Sequence, residues 1–156
     1  MARGRVYTAD FSNVSVSATQ DLFSIFPGAS MAIEIHQINL GQVTQTTIGG
    51  LRVRLRRLTG TVAQGSGGTV VTPTPLMPND VASSVTAHAN DTTISTATTF
   101  TDLFSDVWNL LNGYLYFPAV DDRPVIKLST GCVFSLDSAP GSAIVCNGSI
   151  TFAELF

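Results

Sequence analysis

The two imidazoles, His36 and His88, are the side chains best suited to acid–base chemistry in this chain of 156 residues. A Ser-His-Asp site would place one of them beside a serine nucleophile, but the sequence lacks a Gly-X-Ser-X-Gly elbow. We therefore interpret each histidine as structural. The run at residues 65–68 lacks the Lys-Ser/Thr of a phosphate loop, so it reads as a flexible linker. Asp121 and Asp122 offer too few oxygens for calcium and are typical of a turn. The sequence predicts no enzyme, catalytic residue, metal or cofactor.

Cys132 and Cys146 are the only cysteines, too few for a disulfide framework or a zinc site. The strands predicted at 132–136 and 144–152 are interpreted as a final hairpin around residues 137–142. One register of that hairpin sets Cys132 opposite Cys146. From it we expect two buried, reduced thiols side by side.

Charge is concentrated at residues 51–58, which read Leu-Arg-Val-Arg-Leu-Arg-Arg-Leu and hold four of the eight basic residues. A strand points successive side chains to opposite faces, so the apolar residues enter a core while Arg52, Arg54 and Arg56 form a row. This arginine row is either solvated, which also guards against edge pairing, or it meets carboxylates of a partner. Nucleic acid is a weaker alternative because the net charge is −3.

Aromatic side chains cluster late in the chain, at Trp108, Tyr114 and Tyr116. They could form a sugar-binding platform, but packing in the core or at a subunit interface is the favoured interpretation. We retain all three as candidate interface residues.

The composition favours a protein that lives in an assembly. Hydrophobic residues make up 44% of the chain and charged residues only 12%, about half the usual share. No apolar run approaches the length of a transmembrane helix, and the first residues lack the apolar region of a signal peptide. We expect folding in the cytosol of the cell that makes the protein, with neither a membrane nor nucleic acid as partner.

Strand signals recur along the chain, whereas long stripes of helical period are absent. A β-bulge is expected near His36-Gln37, because the apolar parity switches between Ile35 and Ile38. Eight or nine short strands separated by turns predict an all-β fold, a jelly-roll-like antiparallel β-sandwich of about eight strands. These eight or nine strands are expected among ten candidate segments, at residues 6–11, 22–26, 31–40, 51–58, 81–89, 101–110, 114–117, 125–128, 132–136 and 144–152.

Two segments interrupt this pattern within the single domain predicted for residues 1–156. Residues 1–6 are interpreted as a flexible amino-terminal segment. Residues 60–80 contain Gly-Ser-Gly-Gly and three prolines, which indicates a long surface loop or arm. Residues 90–99 are rich in threonine and are predicted to form a loop. The first two segments are candidates to reach neighbouring subunits.

The chain resembles small structural proteins encoded among the head genes of tailed bacteriophages. The resemblance begins with Gly-Arg-Val-Tyr-Thr-Ala-Asp-Phe at residues 4–11 and Val-Ser-Val-Ser-Ala-Thr-Gln-Asp-Leu-Phe at residues 14–23. It continues at residues 51–53, 65–68, 72–76, 90–93 and 114–118, and so spans nearly the whole chain. No single motif among these defines a chemistry.

The resemblance implies a virion protein, a capsid cement (decoration) protein on the surface of the head. Its implied partners are the major capsid protein and other copies of itself, as a homotrimer. A tail or fibre module that binds cell-surface carbohydrate is the alternative. The candidate interface residues are Arg3, Arg5, Val6, Arg52, Arg54, Arg56, Trp108, Tyr114 and Tyr116.

Overall fold

The computed structural model describes residues 4–44 and 47–155, and these form twelve β-strands and a single 3-10 turn at Val120–Asp122. The strands are β1 (Arg5–Val16), β2 (Gln20–Phe26), β3 (Ala32–Gln42), β4 (Gly50–Ala63), β5 (Thr69–Val71), β6 (Thr74–Pro75), β7 (Thr86–Asp91), β8 (Thr96–Asn109), β9 (Tyr114–Tyr116), β10 (Val125–Ile126), β11 (Gly131–Leu136) and β12 (Ile144–Leu155).

The strands build two antiparallel sheets packed face to face. The first sheet has the order β10-β3-β12-β1-β6, with β9 also paired to β3, and the second has the order β5-β7-β2-β11-β4-β8. Removing β5, β6 and β7 leaves β9/β10-β3-β12-β1 facing β2-β11-β4-β8, which is the strand order of a jelly roll. The predicted fold is confirmed.

Alternation of side chains creates the core between the sheets. In β4, Leu51, Val53 and Leu55 are buried, as the sequence predicts. In β12, the inward residues include Ile150 and Phe152, both essentially inaccessible to solvent. Full burial of one such side chain stabilises a fold by about 1.5–3 kcal/mol.

A β-bulge at His36 keeps β3 in register with β12. Gln37 pairs with Thr151 and Ile35 pairs with Phe152, so His36 is the extra residue on β3. The bulge returns Ile38 to the core face after the parity switch. The predicted bulge is confirmed.

The predicted final hairpin is wrong. Cys132 in β11 lies between Ile25 and Arg57 in the second sheet, whereas Cys146 in β12 lies opposite Val14 in the first. Every residue of β11 is buried. Such a strand needs a neighbour on each side, which β2 and β4 provide, and residues 137–143 cross between the sheets instead of turning a hairpin. Both cysteines are nevertheless buried and free, as expected.

Residues 64–95 form an excursion between β4 and β8. It leaves and returns at the same point, since Ala63 pairs with Thr96. Within it, β5 and β7 extend the second sheet beyond β2, and β6 extends the first sheet beyond β1. The excursion therefore covers one edge of the sandwich. The loop predicted at residues 90–99 is shorter than expected, because β8 already begins at Thr96.

The predicted loop or arm at residues 60–80 is paired with the body along part of its length. Its first residues belong to β4, and β5 and β6 lie within it. Gly65 contacts the returning segment so closely that an added Cβ would lie 2.5 Å from the carbonyl oxygen of Thr93. Gly67 has a φ of +86°, in the left-handed region that favours glycine. The glycine-rich run is thus a packed turn rather than a flexible linker.

Candidate functional site

The arginine row lies on the outer face of the second sheet, but most of its charge is paired within the chain. Asp137 immediately follows β11, the strand beside β4. Its Oδ2 accepts a hydrogen bond from Arg54 Nε, and its Oδ1 lies 3.3 Å from Arg56 Nη2. Arg54 also donates to Asp102 of β8 at 3.1 Å. Neither alternative from the sequence, solvent alone or a partner's carboxylate, describes Arg54 and Arg56.

Arg52 differs from its two neighbours in the row. Its side chain is 61% exposed, and its closest carboxylate oxygen, on Asp137, is 4.0 Å from its Nε. Arg56 is held further, because Nη2 donates to Ser135 Oγ at 3.0 Å and its guanidinium carbon lies 5.2 Å from the centre of the Phe100 ring. Only Arg52 is therefore well placed to meet another molecule.

The sequence did not predict that Arg54 and Arg56 pair with Asp137, because the expected hairpin paired β11 with β12. If β11 is paired with β4 instead, Leu136 lies opposite Val53 and the next residue comes within reach of the arginines. An acidic residue just after a strand that neighbours an arginine row was the available signal.

A shallow cleft of about 290 Å³ runs beside the arginine row. One wall is the outer face of β4 and β11, and the other comes from the excursion and the start of β2. We call it the arginine cleft; it is lined by Thr19, Gln20, Arg52, Arg54, Arg56, Ile94, Ser135, Leu136 and Asp137.

Ser24, His88 and Asp91 lie together, yet their hydrogen bonds do not form a nucleophilic triad. Ser24 Oγ donates to Asp91 Oδ2 at 3.2 Å, so no imidazole stands between them. His88 Nδ1 lies 3.2 Å from the same carboxylate oxygen and 3.2 Å from the carbonyl of Gly65. Ser24 is also inaccessible to solvent. A serine nucleophile requires a base at its hydroxyl and access for substrate, and this arrangement provides neither.

Three buried carboxylates hold the excursion on the body. Asp91 of the excursion accepts from Ser24 Oγ of β2 at 3.2 Å as well as from the Gly68 amide, and Asp21 of β2 accepts from the Ser95 amide at 2.7 Å. Glu154 accepts from the Ser84 amide at 2.7 Å and from two serine hydroxyls. Burial raises the pKa of Asp21 although the Ser95 amide opposes that shift. These acidic groups bind the chain's own backbone.

His36 is partnered as well. Its Nε2 lies 2.9 Å from Glu34 Oε1, and Arg123 Nη1 lies 3.5 Å from the same oxygen. Burial, followed by the charge of Arg123, lowers the pKa of His36. This group joins β3 to the turn before β10 and does not line the arginine cleft.

The structure removes two aromatic residues from the candidate interface. Trp108 is 0% exposed and its Nε1 donates to the carbonyl of Asn112 at 3.1 Å. Tyr114 is buried, and this burial raises the pKa of its hydroxyl. Tyr116 is partly buried and packs on Phe104, with ring centres 4.7 Å apart. Each points inward because it shares the core-facing parity of its strand.

Exposed apolar side chains line the edge formed by β8 and β9. Phe104 and Tyr116 close this edge, since they join the two sheets there. Four large side chains, on β8, on β9 and in the segment just after β9, are more than half exposed. We call them the apolar edge: Val107, Leu115, Phe117 and Val120. A further group, Val70, Leu76 and Met77, is exposed on the excursion at the opposite edge.

Of the three amino-terminal candidate residues, two lie within the described residues. Arg3 lies outside the described residues. Arg5 and Val6 belong to β1, where they pair with Glu154 and Ala153 and are partly buried. Their backbone is thus part of the sheet from Arg5 onward.

Among residues 4–44 and 47–155, no group of three or more His, Cys, Asp or Glu side chains is placed to hold a metal ion. The same residues contain no helix long and apolar enough to cross a membrane. Comparisons with protein-family models, with curated proteins and with solved structures found no match.

Proposed function

We propose that this protein is a virion structural protein, a capsid cement protein that binds the assembled head shell of a tailed bacteriophage and stabilises it. The apolar edge carries the proposal. The resemblance of the sequence to phage head proteins and the jelly-roll fold support it.

The apolar edge has the properties of a docking surface. β8 spans 14 residues and has a strand partner on one side only, β4, so one row of its backbone groups is open to another molecule. The excursion covers the opposite edge with strands of two and three residues. Large apolar side chains beside an open strand mark a surface that a partner covers.

A cement function follows from mass action. A protein that binds only the assembled shell lowers the free energy of that state, by an amount that grows with its free concentration relative to Kd. Stabilising the shell in this way requires a surface complementary to it and no chemical reaction. In this proposal the partners are the major capsid protein and other copies of this chain, as a homotrimer.

The test uses shells assembled without this protein and the double variant Leu115→Ser/Phe117→Ser. We expect its affinity for shells to fall by at least roughly tenfold, because exposed apolar anchors dominate such contacts. The matched control, Val70→Ser/Met77→Ser, removes two exposed apolar side chains from the opposite edge and should bind like wild type.

Two results would overturn the proposal. One is failure of the wild-type protein to bind shells at all. The other is a count by mass spectrometry of about a dozen copies or fewer per purified particle, because a cement protein covers a symmetric shell in numbers on the order of hundreds. A low count would assign the protein to the tail.

The glycan-binding alternative has lost its main support. It required an exposed aromatic cleft near Trp108 or Tyr114, and both side chains are buried.

A further inference from the structure

We propose that the arginine cleft binds a carboxylate side chain of a partner protein, presented beside an apolar residue, with Arg52 as the principal donor. The cleft is lined by residues other than those of the apolar edge, so the inference does not depend on the proposed function.

Unused hydrogen-bonding capacity is the first argument. A guanidinium carries five N–H donors in a planar fork. Arg54 and Arg56 donate to Asp137, Asp102 and Ser135, although Arg56 Nε has no acceptor, whereas the side chain of Arg52 donates no hydrogen bond to the described residues. Arg52 lines the cleft with most of its side chain exposed. Its guanidinium group therefore has N–H donors available to a ligand in the arginine cleft.

Local charge is the second argument. Within the cleft, three guanidinium groups face a single carboxylate, that of Asp137. Asp102 offsets part of the remaining charge from the β8 side, through its 3.1 Å contact with Arg54, and the buried carboxyl of Asp21 interacts electrostatically with Arg56. Neighbouring like charges repel one another across this short row, and an incoming anion relieves that repulsion. Because these carboxylates lie closest to Arg54 and Arg56, the charge of Arg52 is the least compensated in the row.

Asp137 shows which kind of anion fits. Arg54 and Arg56 each bind a different oxygen of its carboxylate, so two successive positions of the row already hold one such group. Arg52 continues the same row, and its planar guanidinium group can bind a second carboxylate.

The apolar part of the lining favours a protein ligand over a free ion. Ile94 lines the cleft and is 50% exposed, whereas Leu136 is buried in the core and offers no side-chain surface there. A carboxylate carried by a polypeptide can place a neighbouring apolar side chain against Ile94, which an inorganic anion cannot. The net charge of −3 opposes extended polyanions such as nucleic acids.

The test measures fluorescence anisotropy of a fluorescein-labelled peptide of alternating glutamate and leucine at low ionic strength. We expect the wild-type protein to bind it, and Arg52→Gln to weaken binding by roughly tenfold, the effect of losing one charge-assisted hydrogen bond. Lys127→Gln is the matched control, since it removes the same charge from an exposed side chain outside the cleft. It should leave the affinity within about twofold of wild type.

Three outcomes would overturn the inference: no binding by the wild-type protein, equal loss of affinity in the two variants, or equal binding of a glutamine–leucine peptide. Displacement of the peptide by inorganic phosphate at equal concentration would also overturn it, in favour of a free-anion site. The Leu115→Ser/Phe117→Ser variant should bind the peptide normally even though it fails on shells, which separates this inference from the cement proposal.

Discussion

At the scale of single residues, Asp137 determines what the arginine row can do. Two strands meet around it, because β4 supplies Arg54 and Arg56 while β11 supplies Ser135, whose hydroxyl lies 2.9 Å from Asp137 Oδ1. The side chain of Asp137 is only 9% exposed. The carboxylate is therefore an internal counter-ion, and the row is neither a plain solvated face nor a wholly free docking stripe.

We predict that Asp137→Ala destabilises the protein by about 2 kcal/mol, because it leaves partly buried guanidinium groups without their acceptor. Chemical denaturation measures the loss. Asp106→Ala is the control, since Asp106 is exposed and accepts only from the amide of Val107, and its effect should stay within about 0.5 kcal/mol. Equal stability of the two variants would show that the Asp137 pairs contribute nothing.

At the scale of strands, periodicity predicted much of what the structure shows. The alternation in residues 51–55 placed Leu51, Val53 and Leu55 in the core, and the parity switch in β3 located the bulge at His36. Both are local consequences of the two-residue period of a strand. Such signals depend only on neighbouring residues, so they can be detected in one sequence.

Pairing between distant strands could not be predicted in the same way. β11 and β12 are consecutive and both rich in apolar residues, which favoured a hairpin, but their true neighbours come from residues 5–63. The candidate site inherited this error, since Asp137 and Ile94 reach the arginine row only through pairings across the jelly roll. The buried state of Trp108 likewise depends on which face of β8 meets the other sheet.

The excursion is the element whose attachment depends most on buried polar groups. Glu154 of β12 is 1% exposed and accepts from the amide and hydroxyl of Ser84 and from the hydroxyl of Ser83. Asp21 of β2 accepts from the Ser95 amide, and Asp91 of the excursion accepts from Ser24 Oγ of β2. These contacts are few and specific, so the removal of one should loosen this element more than the sheets.

We predict that Glu154→Ala increases amide hydrogen exchange in residues 80–86 by roughly tenfold, the equivalent of one lost hydrogen bond to a charged acceptor. Exchange in residues 51–55 of β4 should change much less. Glu154→Gln keeps one side-chain oxygen as acceptor and should lie between the variant and wild type. A uniform increase across all peptides would mean that Glu154 supports the whole fold and has no special role in anchoring the excursion.

At the scale of the whole molecule, the two edges of the sandwich differ in how far they are covered. The excursion covers one edge with short strands, whereas the long strand β8 stays open beside the apolar edge. With charged residues at only 12% of the chain, repulsion between copies is weak. The two surfaces adjoin where Val107 pairs with Arg52, but they differ in chemistry, since one is apolar and the other is a polar cleft with one exposed arginine.

This difference in chemistry predicts that binding at the apolar edge and binding at the arginine cleft respond differently to salt. Raising the ionic strength from about 0.05 M to about 0.5 M shortens the range of electrostatic attraction several-fold and leaves apolar burial intact. We expect shell affinity, measured by co-sedimentation, to change by less than about threefold, because the apolar edge supplies most of that contact. Affinity of the glutamate–leucine peptide for the arginine cleft should fall by at least roughly tenfold over the same range, because Arg52 is exposed and readily screened. The Lys127→Gln control should show the salt response of wild type in both assays. Shell binding that is as salt-sensitive as peptide binding would move the main docking surface from the apolar edge to the arginine cleft.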